Sequence, residues 1–156
     1  MPHNDVYVLR NQATVSTAIT VLQLLAGANN GFLILRASVS QRGSTTSAQE
    51  DIALVRKSAA ATVTAAVLGT TLFKTDPNMA SPSLTLSTTG TGVTASAEGT
   101  DSDQILREGF NVLNGWLYLP VPEERIYVPP AGIIGMKFLT APASQTWDFE
   151  MVIQEV

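Results

Sequence analysis

Near its C-terminus the chain reads Trp147-Asp148-Phe149-Glu150-Met151-Val152-Ile153-Gln154, with a large apolar side chain at every odd position and mostly polar ones between. A two-residue period places Trp147, Phe149, Met151 and Ile153 on one face of an extended strand, because successive side chains of a pleated backbone point to opposite sides. A helix would scatter these four around its circumference. The same alternation recurs in Ile134, Met136 and Phe138, separated by Gly135 and Lys137, and Phe32 to Val39 is a dense β-branched and aromatic run suited to a sheet. The chain is therefore expected to end inside a sheet.

Working outward, Asn30-Gly31 and Asn114-Gly115 each separate two apolar runs. These residues tolerate the positive φ of a tight two-residue turn, so each predicts a hairpin: residues 19–25 with 32–39, and 110–113 with 116–121. The Ser-, Thr- and Gly-rich stretch from Gln41 to Gln49 reads as a surface loop. Within Ile52 to Val67, Ala59 to Ala61 suits a helix, but Thr62, Val63, Thr64 and Val67 favour a strand through their restricted χ1 freedom. Ser83 to Ser96 reads as an exposed hairpin turning at Gly90-Thr91-Gly92, and Asp101 to Arg107 as a single helical turn capped by Asp101 or Ser102. Val15, Ile19, Leu22 and Leu25 trace a helical stripe, which Thr14, Thr17, Thr20 and Val21 oppose. Strand signals return roughly every 8 to 12 residues, with no fixed repeat and no linker, the spacing of a sandwich or barrel. The expected fold is all-β: a single-domain antiparallel β-sandwich over residues 11–156, preceded by a flexible arm at residues 1–10.

Composition agrees. The 156 residues are 45% hydrophobic and 14% charged, which suits one globular domain able to form a core without staples. The absence of cysteine excludes disulfides, thiolate nucleophiles and cysteine-ligated zinc. A net charge of −4, with nine scattered Lys and Arg residues, argues against direct nucleic-acid binding, which relies on clustered cations releasing counterions. No apolar run approaches the roughly 20 residues needed to span a bilayer, and the opening residues lack a secretory pattern, so no membrane role is expected.

Searching for chemistry narrows the field further. The single histidine, His3, sits in the N-terminal segment, where a solvated side chain is a better reading than a general base, and no Gly-x-Ser-x-Gly elbow is present. Glu98, Asp101, Asp103, Glu108, Glu123 and Glu124 leave a two-carboxylate hydrolase open as a formal possibility. Glu123-Glu124-Arg125 reads better as a solvated turn, and Asp101-Ser102-Asp103 begins like a calcium loop but lacks the later ligands. Gly90-Thr91-Gly92 precedes a strand, whereas a phosphate loop would open a helix. No catalytic residue, cofactor or metal is expected. What remains is contact surface: Trp116, Tyr118, Pro120, Pro122, Arg125 and Tyr127, followed by Pro129 and Pro130, concentrate rigid area in a short stretch. The same aromatics serve equally well in a core, and exposed rings of this kind also stack on sugars.

The run from Gly109 through Asn114-Gly115-Trp116-Leu117-Tyr118-Leu119-Pro120-Val121-Pro122-Glu123-Glu124-Arg125 to Val128-Pro129-Pro130-Ala131-Gly132-Ile133-Ile134-Gly135 resembles small structural proteins that decorate or cement the heads of tailed bacteriophages. Ala13-Thr14-Val15-Ser16, the Leu35-Arg36-Ala37-Ser38-Val39 strand and Thr146-Trp147 share that resemblance. It implies a jelly-roll sandwich, commonly a homotrimer, that sits on the exterior of the virion and clamps neighbouring copies of the major capsid protein without performing a reaction. The alternative reading is a carbohydrate- or receptor-binding β-sandwich module of a phage particle.

Overall fold

The computed structural model describes residues 5–156. The strands run in chain order as β1 (Val6–Val15), β2 (Thr20–Leu25), β3 (Phe32–Arg42), β4 (Gln49–Ala59), β5 (Thr62–Ala65), β6 (Leu72–Lys74), β7 (Gly92–Ala97), β8 (Thr100–Asn111), β9 (Trp116–Tyr118), β10 (Tyr127–Val128), β11 (Ile133–Phe138) and β12 (Gln145–Glu155), with one 3₁₀ turn at Pro122–Glu124. They form two antiparallel sheets. The first has the order β10-β3-β12-β1-β6, with β9 also pairing β3; the second has the order β5-β7-β2-β11-β4-β8. The two pack face to face as an antiparallel β-sandwich, as the alternation in the sequence requires.

The pairing is nested. β1 pairs β12, β2 pairs β11, β3 pairs β10 and β9, and β4 pairs β8. The chain thus behaves as one long antiparallel ribbon whose two arms cross together from sheet to sheet, and it closes where β12 pairs β3 and β11 pairs β4. This is the jelly-roll arrangement. Residues 60–99 are an excursion at the far end of the ribbon: β6 extends the first sheet beside β1, while β5 and β7 extend the second beside β2.

The inward faces make one core. Trp147, Phe149, Met151 and Ile153 of β12 are buried, as are Ile134, Met136 and Phe138 of β11. Aromatics from the two sheets meet between them: Trp147 lies 5.1 Å from Phe138 in a tilted pair and 6.2 Å edge-on from Phe110, and Phe138 lies 5.9 Å edge-on from Phe149. Where the excursion joins β2, buried side chains replace missing ladder bonds. Gln23 donates to the carbonyls of Gly90 (2.7 Å) and Ala61 (3.2 Å) and accepts from the Ala61 amide (2.8 Å). Thr91 Oγ1 accepts from the Leu25 amide at 2.9 Å. Each buried backbone group there is satisfied without a strand partner.

Several local expectations are corrected. Neither Asn-Gly pair turns a hairpin, because the strands flanking each lie in different sheets. Gly115 does take positive φ (71°), in a turn held by Asn111, whose carbonyl accepts from Asn114 and Gly115 and whose side chain accepts from the Leu113 amide. Gly31 is needed for space: a Cβ there would sit 2.5 Å from the Tyr127 hydroxyl oxygen. The helical turn expected at Asp101–Arg107 is part of β8, since pairing with β4 overrides the local capping preference. Of the hairpin expected at Ser83–Ser96, only residues 92–96 lie in a strand, β7. Gly90 and Gly92 are buried and closely approached, with hypothetical Cβ atoms 2.3 Å from the carbonyl oxygens of Thr85 and Thr64. Residues 6–10, assigned to a flexible arm, form the first half of β1. Residues 1–4 of that arm, His3 included, lie outside the described residues. The strand reading of 52–67 holds in β4 and β5, and the helical stripe at 13–25 does not form.

Because Trp147 is fully buried against two rings of the opposite sheet, replacing it by alanine should cost about 3–5 kcal/mol of unfolding free energy in a denaturant titration. Its indole N–H has no hydrogen-bond partner, so Trp147→Phe, which removes that group and keeps most of the ring, should cost distinctly less.

Candidate functional site

The nested ribbon leaves the β9–β10 side of the first sheet short and irregular. Only three residues of β9 and two of β10 pair with β3. Between them run Pro120 and the 3₁₀ turn, which has Pro122 in its first turn and lacks a side-chain cap. Proline cannot donate to a ladder, so this edge cannot extend the sheet by regular pairing and instead presents side chains.

Cross-strand register sorts those side chains. Trp116 lies opposite Val39 and Tyr118 opposite Ala37, both buried positions, while Leu117 lies opposite Ser38 on the outer face. Trp116 is only 6% exposed, and its indole N–H donates to Glu108 Oε2 of β8 at 2.6 Å, a bond that ties the two sheets together at their edge. Tyr118 stacks on it at 6.5 Å with an interplanar angle of 12°, and its hydroxyl donates to the Glu124 carbonyl at 2.9 Å, bracing the 3₁₀ turn. Ile126 and Val128 anchor the returning chain in the core. Opposite them, Leu117, Leu119, Val121 and Tyr127 are 58%, 67%, 56% and 44% exposed, and Leu113 beyond the turn is 49% exposed. Five of the large hydrophobics exposed among the described residues thus fall within positions 113–127. Single exposed leucines are ordinary; here the exposed apolar side chains are concentrated along one braced edge.

The six residues singled out from the sequence divide accordingly. Tyr127 and Pro122 are exposed, Pro120 and Arg125 are half-buried, Tyr118 is half-buried and Trp116 belongs to the core. Trp116 and Tyr118 turn their rings toward each other, so the platform needed to stack on sugars reduces to Tyr127. The aliphatic members Leu113, Leu117, Leu119 and Val121 carry most of the exposed apolar area. Their signal was present in the sequence: once Trp116 is assigned inward, a period of two sends Leu117, Leu119 and Val121 outward.

The acidic residues behave differently from a hydrolytic pair. Glu98, in the turn before β8, and Asp101, at the start of β8, converge on two lysines. Lys57 Nζ lies 3.2 Å from Glu98 and 2.7 Å from Asp101, and Lys137 Nζ lies 3.3 Å from Glu98 and 2.8 Å from Asp101. Glu98 also accepts from the Thr20 amide and, at 2.9 Å, from the Thr20 hydroxyl. Burial alone would raise the Glu98 carboxyl, but the Thr20 donors and Lys57 outweigh it and hold it below its ordinary range. Burial likewise opposes ionisation of Asp101, and the hydrogen bonds and charges of Lys137 and Lys57 overcome it. Both carboxylates are engaged on each oxygen and kept ionised, so neither is poised as a general acid. Asp103 lies opposite Arg56 in the ladder and is outside the cluster. Among the described residues, no group of three His, Asp or Glu side chains is placed to hold a metal, and no helix is long and apolar enough to cross a membrane.

A groove of about 470 Å³ crosses the outer face of the first sheet, lined by Arg10, Gln12, Ser38, Arg42, Asp148 and Glu150 among others. Most of its charges are paired: Arg42 with Asp148 at 2.6 Å and Glu150 with Arg36, while Arg10 lies over the Phe73 ring at 4.3 Å. No protein-family model matches the chain, and no curated protein or solved structure matches it.

The division of the edge into an inward and an outward set has a direct test. Glu108→Ala leaves the buried Trp116 N–H without a partner and should cost about 1–2 kcal/mol in a denaturant titration. Leu117→Ser, on the exposed side of the same strand, should stay within about 0.5 kcal/mol of the parent.

Proposed function

We propose that this protein is a structural virion component that binds the outside of a tailed-phage capsid as a decoration or cement protein, with the Leu113–Tyr127 edge as its contact surface. The observation that carries the proposal is the set of exposed aliphatics on an edge stiffened by prolines and by the Trp116–Tyr118 stack. A rigid apolar patch loses little conformational freedom on docking, so more of its burial is available as affinity. A jelly roll supplies the scaffold: two packed sheets hold the edge in one geometry, and the low charge content limits repulsion between crowded copies. The resemblance of residues 109–135 to phage head decoration proteins points the same way.

In this reading the protein performs no reaction and needs no cofactor. It is made in the bacterial cytoplasm and ends on the head exterior, where it joins copies of the major capsid protein and of itself, as a homo-oligomer such as a trimer. It stabilises the shell because it binds the assembled lattice and not the dispersed subunits, so its binding free energy adds to that of the assembled state. Modest contacts repeated across a lattice then reinforce one another.

The purified protein should run as an oligomer and co-sediment with expanded heads of its own phage. Leu119→Asp and Val121→Asp, at exposed positions, should leave the circular dichroism and melting temperature of the fold nearly unchanged and lower sedimentation with heads at least tenfold, the factor expected for a charge placed in an apolar contact. A stable monomer that ignores heads, or charge variants that bind as well as the parent, would refute the proposal.

A further inference from the structure

The cluster of Lys57, Lys137, Glu98 and Asp101 differs from the other ion pairs of the described residues. Those pairs join exposed side chains, whereas the Lys57 side chain is wholly buried and Lys137 retains only 14% exposure. The lysines come from β4 and the neighbouring β11, the carboxylates from the turn preceding β8 and from β8 itself, and Thr20 from β2. Gly135 makes room for the arrangement: a Cβ at that position would lie 3.0 Å from Lys57 Cε and 3.1 Å from Thr20 Cγ2. Four side chains of balanced charge, from three strands and a turn, thus meet with Thr20 of a fourth strand on the face of the second sheet opposite the core.

We propose that this cluster is an electrostatic latch that fastens the first half of the edge strand β8 to the second sheet, and that discharging it lets residues 98–105 open locally while the rest of the sandwich remains folded. Three observations lead there. Residues 100–105 are exposed on both faces of the strand, so apolar burial contributes almost nothing to holding them. The ladder to β4 is irregular over this same stretch, with register shifts at Leu54/Val55, Arg56/Lys57 and Lys57/Ala59. The second half of β8 is held independently, by Leu106 against the core, by buried Phe110 and by the Glu108–Trp116 bond. A strand with an apolar anchor at one end and a charged one at the other opens first where its hold depends on charge.

Removing one carboxylate leaves the buried Lys57 ammonium under-compensated, a larger penalty than the loss of a surface pair. The sign of the pH dependence follows from the groups that face one another: Glu98 and Asp101 against Lys57 and Lys137, with Thr20 adding uncharged donors. Both carboxylates are held below their ordinary ranges, so their contribution is complete above those ranges and is lost as pH falls through their folded-state values. Burial opposes the charge on Lys137, but Asp101 and Glu98 raise it above its ordinary 10.5, so its contribution is complete below that value and is lost only as pH rises beyond it. The latch is closed at neutral pH and releases in acid.

Hydrogen exchange on the full chain tests the inference. In Asp101→Asn at pH 7, the amides of residues 98–105 and their β4 partners at 55–59 should exchange at least about tenfold faster, the factor for losing one charge-assisted hydrogen bond, with β12 amides unchanged. Lys137→Met, which keeps the aliphatic stem, should show the same pattern more weakly. The parent protein acidified well below the ordinary aspartate value of 3.8, until both carboxylates are protonated, should reproduce it after correction for intrinsic exchange. Unchanged protection of 98–105 in both variants would overturn the latch. So would acceleration spread equally over β8 and β12, because the cluster would then stabilise the whole fold and not its edge. This outcome is independent of capsid binding, which is read by sedimentation.

Discussion

β12 lies between β1 and β3, and that placement closes the fold. The final strand pairs along its length with both neighbours, ten register partners on each side, and it can do so only if the two arms of the ribbon have crossed between sheets in step. Its inward residues then meet β11 and β8 across the sandwich through Trp147, Phe138, Phe149 and Phe110. Long-range pairing of this kind is entropically costly to bring together and rewarding once made, because each backbone bond formed also buries an apolar side chain. The order of the other ribbon strands follows from that closure, and the excursion adds β5, β6 and β7 at its edges.

Closure of the ribbon also decides which edge is left without a continuous strand. One side of the first sheet is completed by β6 from the excursion, while the other side receives only the short, proline-broken β9 and β10. An edge that does not offer a continuous ladder avoids uncontrolled strand addition, and what it offers instead is side-chain surface. Trp116 and Tyr118 hold that segment from within, and the leucines and Val121 lie outside it. Core and exposed apolar surface are opposite faces of the same short stretch, which explains how it is both rigid and apolar.

Charge is distributed in two ways that carry different weight. The pairs Arg36–Glu150 and Arg42–Asp148 sit on the open face of the first sheet, where water and side-chain entropy reduce their worth to a fraction of a kcal/mol, of order 0–1. The Lys57 cluster is shielded, and its lysines and carboxylates depend on one another. A chain with few charged residues has placed four of them in one network beside its most exposed strand.

The class of the fold was legible because a period of two is a local property. Trp147 to Ile153 and Ile134 to Phe138 identify their strands and their inward faces without reference to anything else, and Thr62 to Val67 resists a helix by its own sterics. The proline- and aromatic-rich stretch at 116–130 was also visible as a unit, though not which of its side chains face outward, because that depends on Ala37 and Val39 lying opposite. Asn-Gly pairs and a capping Asp are local signals too, but a turn between two sheets and a turn within one begin alike in sequence, and only the partner strand distinguishes them. The convergence of Lys57, Lys137 and the neighbouring Glu98 and Asp101 had no sequence signature: the two lysines are dozens of residues from each other and from the carboxylates, and the sheet register alone brings their charges within hydrogen-bonding distance. Local periodicity determined the elements and their buried faces; tertiary pairing decided their order, the exposed edge and the ion cluster, because those depend on contacts between residues far apart along the chain.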